Sequence, residues 1–193
     1  HRDKRYLDKI SKNDYDCFVV GSDQIWRPKY IKSTLKSTIE NAFFCFVKSW
    51  NVHRISYAAS FGTDEWEYTP EQTMIVCDLI KKFAAVSVRE KSGQDLCQKN
   101  LGINAEHLLD PTMLLSKEDY ISAFKIDQET KSAGNLMVYI LDHSKEKTDL
   151  VNLIANKKEL IPFIVGAKFD DGKAPMEERI QPRLQKWIRG FYD

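Results

Sequence analysis

The sequence predicts an α/β fold, in which a parallel sheet carries helices on both of its faces. Short apolar runs of strand length alternate along the chain with longer segments whose apolar residues recur at helical spacing. The segment Thr69-Pro-Glu-Gln72 is a capping box with proline at the first helical position, and it marks the start of a helix between two such runs. This alternation of strands and helices is typical of a parallel sheet.

Four apolar runs in the first part of the chain predict four strands. The first run ends at Gly21 and the fourth ends at Asp110-Pro111, both of which are turn signals. One helix is predicted behind the capping box, a second covers residues 91–100, and a weaker helical pattern covers residues 39–47. The predicted strands are residues 16–20, 55–59, 84–88 and 105–109.

The composition changes at Asp110-Pro111-Thr112, which we take as a domain boundary. Residues 1–111 then form one α/β domain, and residues 112–193 form the beginning of a second. Both domains are expected to be incomplete, because no βα unit precedes the first strand and no strand follows the last helix. The second domain's predicted helices begin at Ser116 and cover residues 145–158 and 182–191, and its strands cover 136–141 and 160–165. The last helix carries an apolar stripe of Leu184, Trp187, Ile188 and Phe191.

The charge balance excludes one large class of function. The 193 residues contain 29 Lys and Arg against 28 Asp and Glu, which gives a net charge of +1. A nucleic-acid-binding protein needs a surplus of cations to displace counterions, so no nucleic-acid partner is predicted. No apolar stretch reaches the roughly 18 residues of a membrane span, so no transmembrane segment is predicted either.

The four cysteines predict a reducing compartment and no metal site. None belongs to a Cys-x-x-Cys pair, and no histidine lies at zinc-ligand spacing from any of them. Cys17 and Cys77 lie within apolar runs, where a buried, reduced thiol is expected. We therefore predict a cytoplasmic protein.

The candidate site residues follow the predicted strands. Because ligands bind beyond the carboxyl ends of parallel strands, polar groups at these positions are expected to share one edge of the sheet. Each also has a simpler interpretation as a helix cap, a turn, a core aromatic or a solvated ion pair. The candidates for substrate binding are Gly21, Ser22, Asp23, Gln24 and Trp26 after the first strand, Ser60 and Phe61 after the second, Arg89 and Glu90 after the third, and Asp110 after the fourth.

Arg89 is the predicted anion contact, since a guanidinium can make two parallel bonds to a carboxylate or phosphate. Backbone N–H groups of the glycine-containing turns add neutral donors. The sequence contains no Gly-x-Gly-x-x-Gly and no phosphate-loop Gly-Lys-Ser/Thr, which disfavours dinucleotide and ATP binding of those kinds. It also contains no Gly-x-Ser-x-Gly nucleophile elbow.

Four short segments cover the predicted strand ends. They are DCFVVGSDQIW at 16–26, ISYAASFG at 55–62, VSVRE with a following SG at 86–93, and LDPTMLL at 109–115. Each segment alone is a weak signal, but all four occur in one order and at characteristic spacing. Together they resemble the polysaccharide pyruvyl transferase family.

The resemblance implies two Rossmann-like domains in a GT-B-like arrangement. It also implies a bacterial transferase of exopolysaccharide biosynthesis that moves pyruvate from phosphoenolpyruvate onto a saccharide acceptor and forms a cyclic ketal. Phosphoenolpyruvate is then a co-substrate and no cofactor is expected. The resemblance further implies peripheral association with a polysaccharide assembly system, whereas the acceptor sugar, the linkage and the oligomeric state stay open.

The chain departs from the family pattern at both ends, since it lacks the family's opening strand with its glycine-rich turn and it stops at Asp193. The family's histidine-bearing segment, which is the best candidate for the general acid, would follow Asp193, and no residue of this chain matches it. We therefore expect the present polypeptide alone to be inactive.

Two rival functions remain open: a GT-B-like nucleotide-sugar glycosyltransferase, and a non-catalytic relative that retains only the fold. The aromatic-rich residues 39–50 present a further alternative. They form either a membrane or partner contact, or a core-facing helix with Phe43, Phe46, Val47 and Trp50 at helical spacing.

Overall fold

A computed structural model describes residues 7, 9–12, 14–31, 38–47, 49–140, 144–165 and 182–193. The chain divides into two compact units, His1–Leu114 and Leu115–Asp193. The structural division falls after residue 114, whereas the sequence pattern predicted a boundary after residue 111.

The described part of the first unit contains a parallel sheet of four strands, as predicted. The strands are β1 (Cys17–Val20), β2 (His53–Ala59), β3 (Ala85–Val88) and β4 (Glu106–His107). They lie side by side in chain order, and each neighbouring pair is parallel. The carboxyl ends of all four strands therefore meet at one edge of the sheet.

The described connections pack against one face of this sheet, not against both as predicted. The four strands follow one another across the sheet in chain order. When each crossover between such parallel strands is right-handed, all the connections lie on the same side of the sheet. Among the described residues nothing covers the opposite face, which Val19, Ile55 and Ala85 share because they are in register. Val19 is 59% exposed there, and an open recess of about 650 Å³ extends along Ile55, Tyr57 and neighbouring residues.

Two helices connect the central strands. Helix α1 (Pro70–Ile80) begins with the predicted capping box, in which the Gln72 N–H donates to the Thr69 side chain. Helix α2 (Lys91–Leu96) continues into one π-helical turn, Cys97–Leu101. Gly102 ends that turn with a φ of 67°, a left-handed conformation that glycine adopts at little cost.

The aromatic-rich segment between β1 and β2 faces the core. It forms two 3₁₀ turns, Ile39–Phe43 and Cys45–Val47, rather than one α-helix. Phe44 interrupts them because its φ of 59° is left-handed. Phe43 and Val47 have no exposed surface, which favours the core-facing alternative over a membrane contact.

The thiols are less buried than predicted. Cys17 is exposed because its side chain lies on the open face of the sheet. Cys77 is half-buried and donates to the Asn100 carbonyl at 3.4 Å. The buried thiol is that of Cys97, for which no burial was predicted, and its burial raises its pKa to about 12.

The described part of the second unit contains a two-stranded parallel sheet, β5 (Leu136–Val138) and β6 (Pro162–Ile164). Residue 141, the predicted end of the first of these strands, lies outside the described residues. The helices are α3 (Lys117–Phe124), α4 (Lys145–Lys158) and α5 (Leu184–Tyr192). A second capping box begins α3, with the Asp119 N–H donating to Ser116 Oγ at 3.1 Å.

The predicted apolar stripe of α5 is not its most buried face. Leu184 and Phe191 are more than half exposed, whereas Arg189 and Gly190 are buried. Arg189 donates to the Ile126 carbonyl at 2.9 Å and pairs with Asp193 at 2.7 Å. Arginine is usually exposed, but an arginine with charged and carbonyl partners, such as Arg189, can be buried.

The contact of α2 with β3 supports a stability prediction. A Cβ added at Gly93 would lie 3.1 Å from the Cβ of Val88, and a β-branched side chain in a strand has little freedom to move away. Gly93→Ala is therefore expected to lower the free energy of unfolding by about 1–3 kcal/mol. Gly21→Ala is the matched control, since its added Cβ meets nothing within 4 Å. Equal urea midpoints for the two variants would contradict the close packing.

Candidate functional site

Side chains from all four strand ends are connected by hydrogen bonds at the carboxyl edge of the first unit's sheet. We call the five residues Ser22, Ser60, Arg89, Glu90 and Asp110 the strand-end edge. The gathering that the sequence pattern predicted for these positions is observed. Their role in binding substrate stays a prediction.

The hydroxyl of Ser60 connects the second and third strand ends. Its Oγ donates to Glu90 Oε1 at 2.7 Å and accepts the Gly62 N–H at 2.9 Å. Ser60 has no exposed surface, so this hydroxyl positions the Glu90 carboxylate and is not itself available to a ligand.

Arg89 lies between two carboxylates. Its Nε donates to Glu90 Oε1 at 3.0 Å, and its Nη1 donates to Asp110 Oδ2 at 3.3 Å. The three side chains are 24–36% exposed, so they are partly covered but accessible. The two-pronged anion contact predicted for Arg89 would require displacement of one carboxylate. Only Nη2 makes no hydrogen bond to the described residues.

Several hydrogen bonds stabilise the charged form of the Asp110 carboxyl. Hydrogen bonds from the Thr112 backbone and hydroxyl, with further ones from Ser22 and Arg89, lower its pKa from 3.8 to about 2. The contact with Ser22 connects the first strand end to the fourth.

The backbone ties the loop after β1 to the loop after β2. The Ser60 N–H donates to the Asp23 carbonyl, and the Trp26 N–H donates to the Ser60 carbonyl, both at 3.2 Å. Gln24 packs on Gly62, where a Cβ would lie 2.2 Å from Gln24 Oε1. Gly62 also has a φ of 67°, so glycine is required there for two independent reasons.

Trp26 and Phe61 lie in the core and not at the accessible edge, which corrects their prediction as substrate contacts. Trp26 has no exposed surface, stacks on Phe43 at 4.9 Å and donates to the Ala42 carbonyl at 3.3 Å. Phe61 is 2% exposed. Both side chains anchor the loops that carry the polar residues. Gly21 and Asp23 are exposed beside the edge.

The edge contains more acceptors than cations. Two carboxylates face one guanidinium, and Asp23 adds a third carboxylate nearby. Carboxylate oxygens are suited to accept hydrogen bonds from sugar hydroxyls. The remaining Nη2 of Arg89 and the exposed backbone at Gly21 can donate to an anion.

Sequence reasoning missed two residues of this region. Thr112 holds Asp110 through its backbone and its hydroxyl, and Asp-x-Thr spacing is a local signal that could have revealed it. His107 is exposed, and its Nε2 lies 3.0 Å from the Arg89 carbonyl oxygen. That contact joins separate strands, so no local signal predicts it.

The described ranges contain no group of three or more His, Cys, Asp or Glu residues arranged to hold a metal ion. Within them, no helix has the length and apolar character that crossing a bilayer requires.

The lowered pKa of Asp110 predicts a pH-dependent contribution to stability. The carboxylate is charged in both folded and unfolded states above about pH 5, where its full stabilisation is present. As pH falls through 3.8 towards 2, the unfolded chain takes up the proton first and the stabilisation is lost. Asp110→Asn should therefore cost about 1 kcal/mol at pH 7 and much less below pH 3, after allowance for solvent screening.

Urea unfolding of the wild type and of Asp110→Asn between pH 7 and pH 2.5 measures how the stability cost of the substitution depends on pH. The control is Asp64→Asn, an exposed carboxylate on the loop after β2. A cost for Asp110→Asn that is constant over this range would show that the charge of Asp110 does not contribute.

Comparison with known proteins identifies the family. No curated protein and no solved structure matches the chain. The family model for polysaccharide pyruvyl transferase matches residues 1–173, which is most of the 193-residue chain and includes all four strand ends. The chain therefore belongs to the polysaccharide pyruvyl transferase family.

Proposed function

We propose that this chain belongs to an enzyme that transfers pyruvate from phosphoenolpyruvate to a sugar of a surface polysaccharide or its precursor. Family membership is the observation that carries the proposal. The strand-end edge supplies the candidate location, because its carboxylates can accept hydrogen bonds from sugar hydroxyls and its guanidinium can donate to an anion. Two Rossmann-like domains in a GT-B-like arrangement, a bacterial cytoplasmic location and peripheral association with polysaccharide assembly are parts of the same proposal.

The chemistry requires an acid and two acceptor hydroxyls. The acid protonates the methylene carbon of phosphoenolpyruvate, and the first sugar hydroxyl adds to the neighbouring carbon and gives up its proton, which restores the acid. The second sugar hydroxyl then forms a C–O bond at the same carbon, as the bond between that carbon and the bridging oxygen of the phosphate breaks. Its proton leaves with the phosphate, so the products are a cyclic ketal and inorganic phosphate.

The described residues would bind and orient the substrates. Glu90 and Asp110 are acceptors for the sugar hydroxyls, and Arg89 Nη2 is a donor to the phosphate or carboxylate of the donor molecule. We assign none of the described residues as the general acid. We therefore propose that this chain alone binds ligands but does not turn them over.

The proposal is tested with the complete gene product and this chain in parallel. Each is incubated with phosphoenolpyruvate and a panel of saccharides, and phosphate release and saccharide mass are measured. We expect saccharide-dependent phosphate release only from the complete product. Turnover by this chain would contradict the proposal that it is inactive on its own.

The two rival functions give different results. Calorimetric binding of nucleotide sugars without binding of phosphoenolpyruvate would favour a glycosyltransferase. An Arg89→Ala variant with unchanged phosphoenolpyruvate affinity would favour a non-catalytic relative.

A further inference from the structure

An irregularity in β2 lies directly before the strand-end edge. Ser56 pairs with Val86, but Ala59 pairs with Val88, so β2 contains one more residue than β3 over this interval. Ala58 is the residue next to this shift, and its φ of 49° is left-handed. Alanine rarely adopts this conformation without support from its surroundings.

Two buried serine hydroxyls provide that support. Ser87 Oγ accepts the Ala58 N–H at 2.8 Å and donates to the Ser56 carbonyl at 2.8 Å. Ser56 Oγ accepts the Ser87 N–H at 2.9 Å and donates to the Ser87 carbonyl at 3.0 Å. Both serines are at least 96% buried, so they replace the ladder hydrogen bonds that the bulge interrupts.

The bulge decides which side chains reach the edge. After it, the Arg89 N–H donates to the Ala59 carbonyl at 3.2 Å, and Ser60 Oγ contacts Glu90. Without the extra residue, every β2 side chain from Ala58 onward would move to the opposite face of the sheet. The orientation of Ser60, and through it that of Glu90, therefore depends on the bulge.

We propose that Ser56 and Ser87 are positioning residues for pyruvyl transfer, because their hydroxyls hold the Ala58 bulge that orients Ser60 and Glu90. This inference rests on the proposed function. Neither serine touches a substrate.

The test is a pair of variants in the complete gene product. Ser87→Ala removes the acceptor of the Ala58 N–H and is expected to lower kcat about tenfold or more, because Glu90 is misplaced. It should also accelerate hydrogen exchange at the Ala58 amide. Adding Ala58→Gly should restore most of the lost kcat, because glycine adopts the left-handed conformation without the serine hydroxyl.

Controls separate positioning from general stability. Ser49→Ala, an exposed serine before β2, should leave kcat unchanged. If Ser87→Ala does not fold, Ser87→Cys keeps a weaker acceptor at the same position and should show intermediate exchange and kcat. An unchanged kcat together with unchanged hydrogen exchange at the Ala58 amide, in a folded Ser87→Ala or Ser87→Cys variant, would overturn the inference. So would a stable double variant of Ser87→Ala and Ala58→Gly in which kcat does not recover.

Failure of the proposed function is distinguishable. A wild-type protein that does not turn over phosphoenolpyruvate refutes the reaction. Hydrogen exchange at the Ala58 amide still tests whether Ser56 and Ser87 hold the bulge. Slow Ala58 exchange in wild type with fast exchange in Ser87→Ala would support the bulge assignment on its own.

Discussion

Replacing Arg89 with alanine is expected to reduce pyruvyl transfer by the complete gene product about a hundredfold, equivalent to about 3 kcal/mol. Arg89 pairs with both Glu90 and Asp110, so its removal leaves two partly covered carboxylates without their cation. The edge would then repel the anionic donor. Calorimetric titration with phosphoenolpyruvate and steady-state kinetics measure the loss of affinity and of turnover.

Arg89→Lys is the conservative variant. It keeps the charge but loses the guanidinium geometry, so we expect an intermediate loss. Lys81→Ala is the matched control, because Lys81 follows α1 and lies near the amino end of β3, at the opposite edge of the sheet. A folded Arg89→Ala variant as active as Lys81→Ala would exclude the edge as the donor site.

Replacing Trp26 with alanine is expected to lower the free energy of unfolding of the first unit by about 3–5 kcal/mol. Trp26 is fully buried, stacks on Phe43 and contacts Phe61 at a ring distance of 5.3 Å. Its backbone carbonyl also accepts the Tyr68 hydroxyl. Urea unfolding monitored by far-UV circular dichroism measures the effect.

Two variants show where that stability originates. Trp26→Phe keeps an aromatic ring against Phe43 but loses the bond to the Ala42 carbonyl, so its cost should be smaller. Tyr30→Ala is the control, since Tyr30 is 54% exposed and its removal should cost less than about 1 kcal/mol. Equal effects of Trp26→Ala and Tyr30→Ala would contradict the core position of Trp26.

Local signals predicted much of the fold. The capping box at Thr69 and the helix over residues 145–158 depend on residues close in sequence, and both are observed as predicted. The parallel sheet follows from the alternation of strands and helices. The burial of Arg189 in α5 was not predicted, because it depends on its partners Ile126 and Asp193.

The gathering of polar side chains at the strand ends was predictable from the sequence, but their pairing was not. Strand ends identified Ser60, Arg89 and Asp110 because parallel topology alone brings such residues to one edge. The pairing of Arg89 with Asp110 joins residues from different strands, so the sequence indicated only the alternative of an ion pair with the adjacent Glu90. The Ala58 bulge was not predicted, since alanine carries no signal for a left-handed conformation.

The most direct measurement is phosphate release and saccharide mass for the complete gene product, compared with its Arg89→Lys variant. We expect pyruvylated saccharide and phosphate in equal amounts from the wild type, and a marked reduction of both in the variant. Glycosyl transfer from a nucleotide sugar without use of phosphoenolpyruvate would contradict the proposed reaction. Equal yields from the two proteins would contradict the strand-end edge as its site.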